Sequence, residues 1–295
     1  MKWRNLYFMI SLSVLIPGVV SLYLFGLKPA IDFTGGSLLE VKIIDDQYQI
    51  PVDLDGQVKN LMGDEYQISR VQPSANRQFI IRSQFLESSQ KAELISRISS
   101  SLVGIEELRF ERVGPTLGKE LLSKTLVAIL LASTVITLYV WKQFSELKYG
   151  ICAILAMFHD SLVLIGAFSI FGFLWGTEVD LLFVTALLTT LSFSIHDTIV
   201  VYDRIRELRK HHQQLPLKEI VNAAVIQTLG RSLNNSLTII IMLLALTLLG
   251  GETIRWFSVA LLIGAITGTY SSTFTAAPLL LLWDELGQKI KIRFK

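Results

Sequence analysis

The chain has almost no cysteine: Cys152 is the single thiol in 295 residues. It cannot close an internal disulfide, and no metal-ligand spacing surrounds it. Because it sits inside a hydrophobic block, it reads as a small buried apolar residue. Charge of one sign is also scarce. The net charge of +2 gives no broad basic field of the kind that attracts nucleic acid. The sequence contains no phosphate loop, nucleophile elbow or zinc signature. No enzyme activity, cofactor or metal is therefore expected. Low-complexity runs and a clear internal repeat are missing as well. Hydrophobic residues are abundant, at 51% of the chain, and mean hydropathy is +0.51. They are gathered into long blocks, which is membrane-protein composition.

The first block runs from Leu6 to Leu27 behind Lys2 and Arg4. About 20 apolar residues cross the roughly 30 Å hydrocarbon core. The block is too long for a signal-peptide core, and no A-x-A-like cleavage site follows. It reads as an uncleaved membrane helix, bent near Pro17-Gly18. Five further blocks lie at Leu121–Trp141, Ile151–Phe173, Leu181–Tyr202, Leu233–Leu249 and Trp256–Leu282. The chain thus reads as an α-helical polytopic membrane protein with six spans.

Residues 28–119 differ in kind. They are polar, mixed in charge and hold no spanning block. The periodicity predicts strand Ser37–Ile44, helix Val52–Met62, strands Tyr66–Gln72 and Arg77–Ser83, helix Glu87–Leu102 and strand Ile105–Val113. Pro73-Ser74-Ala75-Asn76 supplies the turn between the middle strands. The order β-α-β-β-α-β is that of the ferredoxin-like split unit, a small α+β domain between the first two spans. The predicted organisation is 1–27 as N-terminus and first span, 28–119 as the soluble domain and 120–283 as spans two to six. A loop at 203–231 and a basic tail at 284–295 complete it.

The connections carry a charge bias. Lys2, Arg4, Lys142, Lys148, Arg204, Arg206, Arg209, Lys210, Lys218, Lys289, Lys291, Arg293 and Lys295 all fall on one side if the spans alternate. The other short loops hold only Arg255. The positive-inside rule then places both termini in the cytoplasm and the soluble domain outside, in the periplasm of a Gram-negative cell. Within 203–231, residues 218–229 look amphipathic and suit an interfacial position.

The fourth span holds His196 and Asp197 side by side. An Asp near a membrane centre costs about 2.5–3.5 kcal/mol on insertion scales, so it normally faces the bundle interior or a wet path. His196 shares a helix face with Ser192, Thr189 and Thr185, while Asp197 lies about 100° round, near Thr190 and Ser194. Asp197 sits seven residues before Arg204, about 10 Å inside the basic end at 1.5 Å per residue. Burial favours the neutral form of a carboxyl group and a nearby cation favours the charged form. A group that exchanges a proton as its surroundings alternate needs that balance. A static polar contact between helices is the bland alternative.

Arg231 precedes Asn234, Asn235 and Thr238 on one face of the fifth span, and this polar stripe is expected to turn inward. Arg231 could tune the acid, or it could be a snorkelling anchor. His159-Asp160 on the third span reads as a structural polar pair or as part of an ion path. Glu178 and Asp180 at the outer mouth attract cations or simply solvate a loop. Asp32, Gly35 and Gly36 mark a sharp turn or close backbone approach after the first span. Gly264 and Gly268 permit close helix contact in the last span.

Several stretches together resemble the SecF family of bacterial protein-export subunits. They are Asp32-Phe33-Thr34-Gly35-Gly36, the run from Val113 to Leu121, His159-Asp160, the run from Asp197 to Glu207, and the run from Arg231 to Thr238. They arrive in the family's order from first span to last. The resemblance implies an RND-like half bundle that pairs with SecD. It implies further partners in the SecYEG channel, the SecA motor, YajC, YidC and the moving preprotein. It also implies use of the proton-motive force in late steps of export, with Asp197 as the acid in the ion path and Arg231 working with it. The family usually has Asn where this chain has His196, which adds a second group able to titrate near neutral pH. Either a proton or a sodium ion then suits the coupling role. Ala30 stands where the family has glycine. A half-transporter for small molecules or lipids and a passive scaffold are the alternative functions.

Overall fold

A computed structural model of the chain describes residues 1, 3–45, 51, 53–73, 77–101, 104–144 and 146–293. Most of the turn expected at 73–76 lies outside the described residues, as do Lys2, Val52, Leu102 and Lys295. The chain divides into two units, Pro29–Leu126 and the combination of Met1–Lys28 with Val127–Lys295.

The smaller unit carries alternating apolar residues on short strands, and the period of two decides its shape. It begins with the single turn α2 (Ile31–Thr34), which follows α1 (Arg4–Phe25) in the chain. Then come β1 (Gly36–Ile43), α3 (Leu54–Met62), β2 (Ile68–Pro73), β3 (Gln78–Ser83), α4 (Ser88–Ser101) and β4 (Ile105–Val113). The sheet order is β2-β3-β1-β4 and every pairing is antiparallel. That is the split β-α-β arrangement expected from the sequence.

Leu39, Val41 and Ile43 of β1, with Phe79 and Ile81 of β3, project from one face of the sheet. They meet Leu54, Val58 and Met62 of α3, spaced at four residues, and Leu94 and Ile98 of α4. Each such side chain removed from water contributes about 1.5–3 kcal/mol. Polar contacts fix the start of α3. Asp53 caps it by accepting from the Gly56 amide at 3.0 Å. Asp55 accepts from the Val71 amide of β2 at 2.6 Å and from the Lys59 ammonium at 2.8 Å.

Gly35 and Gly36 have φ of +75° and +124°, which side chains rarely allow. A Cβ on Gly36 would lie 2.6 Å from the Ser83 carbonyl, and one on Gly35 2.8 Å from the Pro115 Cα. A Cβ on Gly118 would lie 2.8 Å from the Gly35 amide nitrogen. The double glycine thus lets the chain turn into β1 while touching the first turn of α5 (Pro115–Gln143).

The larger unit is built from long apolar helices. They are α1, α5 (Pro115–Gln143) from Val127 onward, α6 (Leu147–Trp175), α7 (Leu181–His211), α8 (Leu217–Leu249) and α9 (Glu252–Ser271). A π-helical stretch at Ser272–Ala276 joins α9 to α10 (Ala277–Arg293). Six helical segments of the described chain are long and apolar enough to cross a membrane, with α9 to α10 forming the sixth. The protein is a multi-pass membrane protein with a small antiparallel domain after its first span.

Small residues set the tightest helix contacts. Gly18 of α1 faces Gly166 of α6, where a Cβ on Gly166 would lie 2.6 Å from the Gly18 Cα. Gly264 of α9 sits against the Thr190 side chain, and Gly268 against the Ser194 backbone. Side-chain hydroxyls link the helices as well. Ser11 and Thr275 are 3.0 Å apart, Ser21 and Ser169 are 2.9 Å apart, and Tyr202 donates to the Ala276 carbonyl at 2.8 Å.

The fifth span begins earlier than its apolar block. Only 212–216 is non-helical between α7 and α8, and Arg231 lies well inside α8 rather than at its start. Ile220, Val221, Ala224 and Val225 explain the difference, because they bury in the core with Ile205, Leu208 and Leu280. Tertiary burial thereby draws a stretch that composition assigns to a connection into one continuous helix.

Candidate functional site

Helix α7 positions the site. Its start is fixed by Asp180, which accepts from the Phe183 amide at 2.7 Å, so this acid serves as a helix cap. The periodicity of α7 then gives two polar rows. Thr190, Ser194, Asp197 and Thr198 are buried inside the bundle, whereas Thr185, Ser192 and His196 are exposed in this chain. Asp197 and His196 therefore face different surroundings although they are neighbours.

Asp197 is 9% exposed and accepts a short hydrogen bond from the Ser232 hydroxyl of α8. Beside it lies a cavity of about 30 Å³ lined by Phe193, His196, Asn235, Ser236 and Gly268, among others. A cavity of that order holds a water molecule where polar groups line it. Three helices meet here. Gly268 brings α9 onto the Ser194 backbone, and Ser232 and Ser236, both buried, bring α8 close to α7.

The hydroxyl suits a carboxyl group that changes its protonation. The ionised acid accepts from Ser232. The protonated acid can donate to the same oxygen, so the contact persists while its polarity reverses. Among the described residues, no hydrogen bond or ion pair joins Asp197 to Arg231.

Arg231, Asn234, Asn235 and Thr238 are exposed on α8. The sequence expectation turned this stripe inward. The structure instead buries Thr228, Ser232 and Ser236, about one residue further round the helix. Small serines fit the close approach to α7, and the bulkier Arg and Asn side chains do not. The spacing of Ser232 and Ser236 could have given this away, but the larger polar residues beside them carried the stronger signal.

A second buried acid lies on α6. Asp160 is fully buried, accepts from the Ser271 hydroxyl at 2.5 Å and lies 3.0 Å from Nδ1 of His159. Ser271 directly precedes the π-helical stretch, and such stretches are frequent at functional sites. Among the described residues, no three His, Cys, Asp or Glu side chains converge as a metal-binding group.

The basic residues of several connections gather at one end of the bundle. Arg4 pairs with Glu285 at 2.5 Å, Lys148 with Glu146 at 2.8 Å, and the amino terminus donates to Asn222 at 2.9 Å. Arg209 lies 3.6 Å from Glu146.

Comparison with known proteins adds to this geometry. Residues 95–286 match the family described as protein export membrane protein SecD/SecF, C-terminal, and residues 20–43 match the SecD/SecF GG motif. The chain is 42% identical to the protein translocase subunit SecF of Thermobaculum terrenum, over 96% of this chain and 93% of that protein. It is 40% identical to the SecF subunit of Anaerolinea thermophila, over 95% and 92% of the two chains. The crystal structure of SecDF from Thermus thermophilus, a translocon-associated membrane protein, superposes with a TM-score of 0.82 at 30% identity. That match covers 97% of this chain and 39% of the SecDF chain.

Proposed function

The chain belongs to the SecD/SecF protein-export family, and on that footing we propose that it couples an ion gradient to late steps of protein export. Its auxiliary role in Sec export rests on identity with SecF subunits along nearly its whole length. SecD is its partner, since SecDF chains carry both halves in one polypeptide and this chain matches the SecF-sized share of them. The SecYEG channel, the SecA motor, YajC, YidC and the emerging preprotein are proposed as further partners. The basic end of the bundle, with both termini, is assigned to the cytoplasm by the positive-inside rule. The sheet domain then lies on the outer side of the inner membrane.

Asp197 is the observation that carries the coupling role. A carboxyl group in a membrane bundle, beside a water-sized cavity and held by one hydroxyl, is poised to gain and lose a proton. The exposed row of His196, Arg231, Asn234 and Asn235 supports a partnered bundle, because such groups are costly to leave in lipid. Arg231 and His196 are proposed to face the SecD half, where Arg231 can approach an ion path shared by both halves. His159, Asp160 and Ser271 form a second polar layer that supports the π-helical stretch of the sixth span. Each charge that crosses contributes about 2.3 kcal/mol per 100 mV, so a stroke is modest and must repeat.

The test uses inverted inner-membrane vesicles containing the whole export complex. Asp197→Asn is expected to abolish the gradient-dependent increase in completed translocation while the complex still assembles. Wild-type stimulation in that variant would reduce the chain to a scaffold.

A further inference from the structure

A cavity at the basic end of the bundle has no part in this coupling. It is a cleft of about 720 Å³ at the basic end, between the loop before α6, the end of α7, the start of α8 and α10. Arg206, Arg209 and Lys210 line it, together with Glu146 and Asp284. The two acids are engaged already: Lys148 lies 2.8 Å from Glu146 and 3.9 Å from Asp284. Lys210 makes no ion pair among the described residues. Arg206 lies 3.2 Å from Asp203 and its guanidinium stands over the Phe144 ring, so it is held in place at the wall.

Tyr149 points to what the cleft holds. It is fully buried, yet it lines the cavity, and its hydroxyl stands against the Arg209 guanidinium. An anionic oxygen entering the cleft would meet the Arg209 guanidinium and the Tyr149 hydroxyl together.

A second feature decides between soluble and membrane anions. Glu146 also borders a shallow apolar groove lined by Trp141, Leu147, Gly150 and Ile151. The groove therefore adjoins the basic cleft and runs onto the flank of membrane-spanning helices α5 and α6. Trp141 and Trp283 are exposed, as tryptophans at a membrane interface commonly are. We propose that the cleft and groove together bind an anionic phosphoglyceride, with its phosphate against Arg206, Arg209, Lys210 and the Tyr149 hydroxyl and an acyl chain along the groove.

Native mass spectrometry of the full chain in detergent tests this, with phosphatidylglycerol, phosphatidylcholine or inorganic phosphate added. Phosphatidylglycerol is expected to be retained over phosphatidylcholine, and inorganic phosphate at equal concentration should not displace it. Removing one cation with Lys210→Gln should weaken phosphatidylglycerol retention about 5-fold, and adding Arg206→Gln should weaken it further. Tyr149→Phe should lower retention while leaving phosphatidylcholine binding unchanged. Lys210→Gln alone keeps the test decisive should the double variant not fold. Equal retention of the two lipids, or no change in the variants, would overturn the site. Displacement by inorganic phosphate would show a soluble-anion pocket and overturn the lipid assignment.

Discussion

The two units of this chain bury opposite things. In the sheet domain the interior is Leu, Val, Ile and Phe, and charged side chains cover the outside. In the helix bundle, serines, threonines, glycines and two carboxyl groups lie inside, while Leu130 of α5 is 70% exposed. The same physics produces both results in different solvents. Water drives apolar groups together in the domain. Lipid tails give leucine no reason to hide, so helices associate through close backbone approach and polar contacts instead.

Deleting a large side chain should affect the two units most unequally. Phe79→Ala in the sheet domain should cost about 3–5 kcal/mol, because it empties a core packed against α3 and α4. Leu130→Ala should lie within about 0.5 kcal/mol, since its side chain is mostly exposed. Hydrogen exchange on the full chain in micelles reads the first, and thermal melting of the bundle reads the second. Equal losses would end the contrast.

Overfilling a bundle contact should come next in size. Gly166→Leu forces α1 and α6 apart at a backbone contact and should cost about 1–3 kcal/mol. Gly63→Ala, where open space surrounds the backbone, should cost less and act through its positive φ alone. A melting series that ranks the two the other way would undo the close-packing account.

Asp197→Asn should hardly change bundle stability while removing gradient-dependent export. The amide keeps a hydrogen-bonding oxygen for Ser232 but cannot ionise. A large loss of thermal stability in that variant would make Asp197 a structural contact after all.

The smallest effect belongs to a carboxyl group of the sheet domain. Burial pushes the Asp55 acid up, but Lys59 and the Val71 amide outweigh it and hold its pKa below the ordinary value. A depressed pKa means stability that is present above the unfolded value and lost as pH falls through the folded one. The loss should therefore set in below about pH 4. It should stay within about 1 kcal/mol, because the pair is part-exposed and solvent screens it. Asp55→Asn should flatten that acid limb of the domain's exchange profile, and an unchanged limb would remove Asp55 from the account.

Much of the architecture was legible in the residues themselves. Period-two alternation marked all four strands to within about two residues, and β4 at Ile105–Val113 agrees at both ends. Six apolar blocks became six candidate spans. The start of α8 was not legible, because Lys218 and Glu219 make its first turns look like a solvated connection. The pairing of Gly18 with Gly166 was invisible for another reason: those residues are 148 positions apart, and each alone is an ordinary glycine.

By itself the sequence determined that a carboxyl group lies within a spanning helix and that a ferredoxin-like domain follows the first span. Both are local facts, written in hydropathy and periodicity. Only the tertiary structure decided which neighbour holds that acid. Ser232 reaches Asp197 and Arg231 does not, because helix α8 turns its small residues toward α7 and leaves its large polar ones outside. That rotation is set by the fit between helices, and no stretch of one helix contains it.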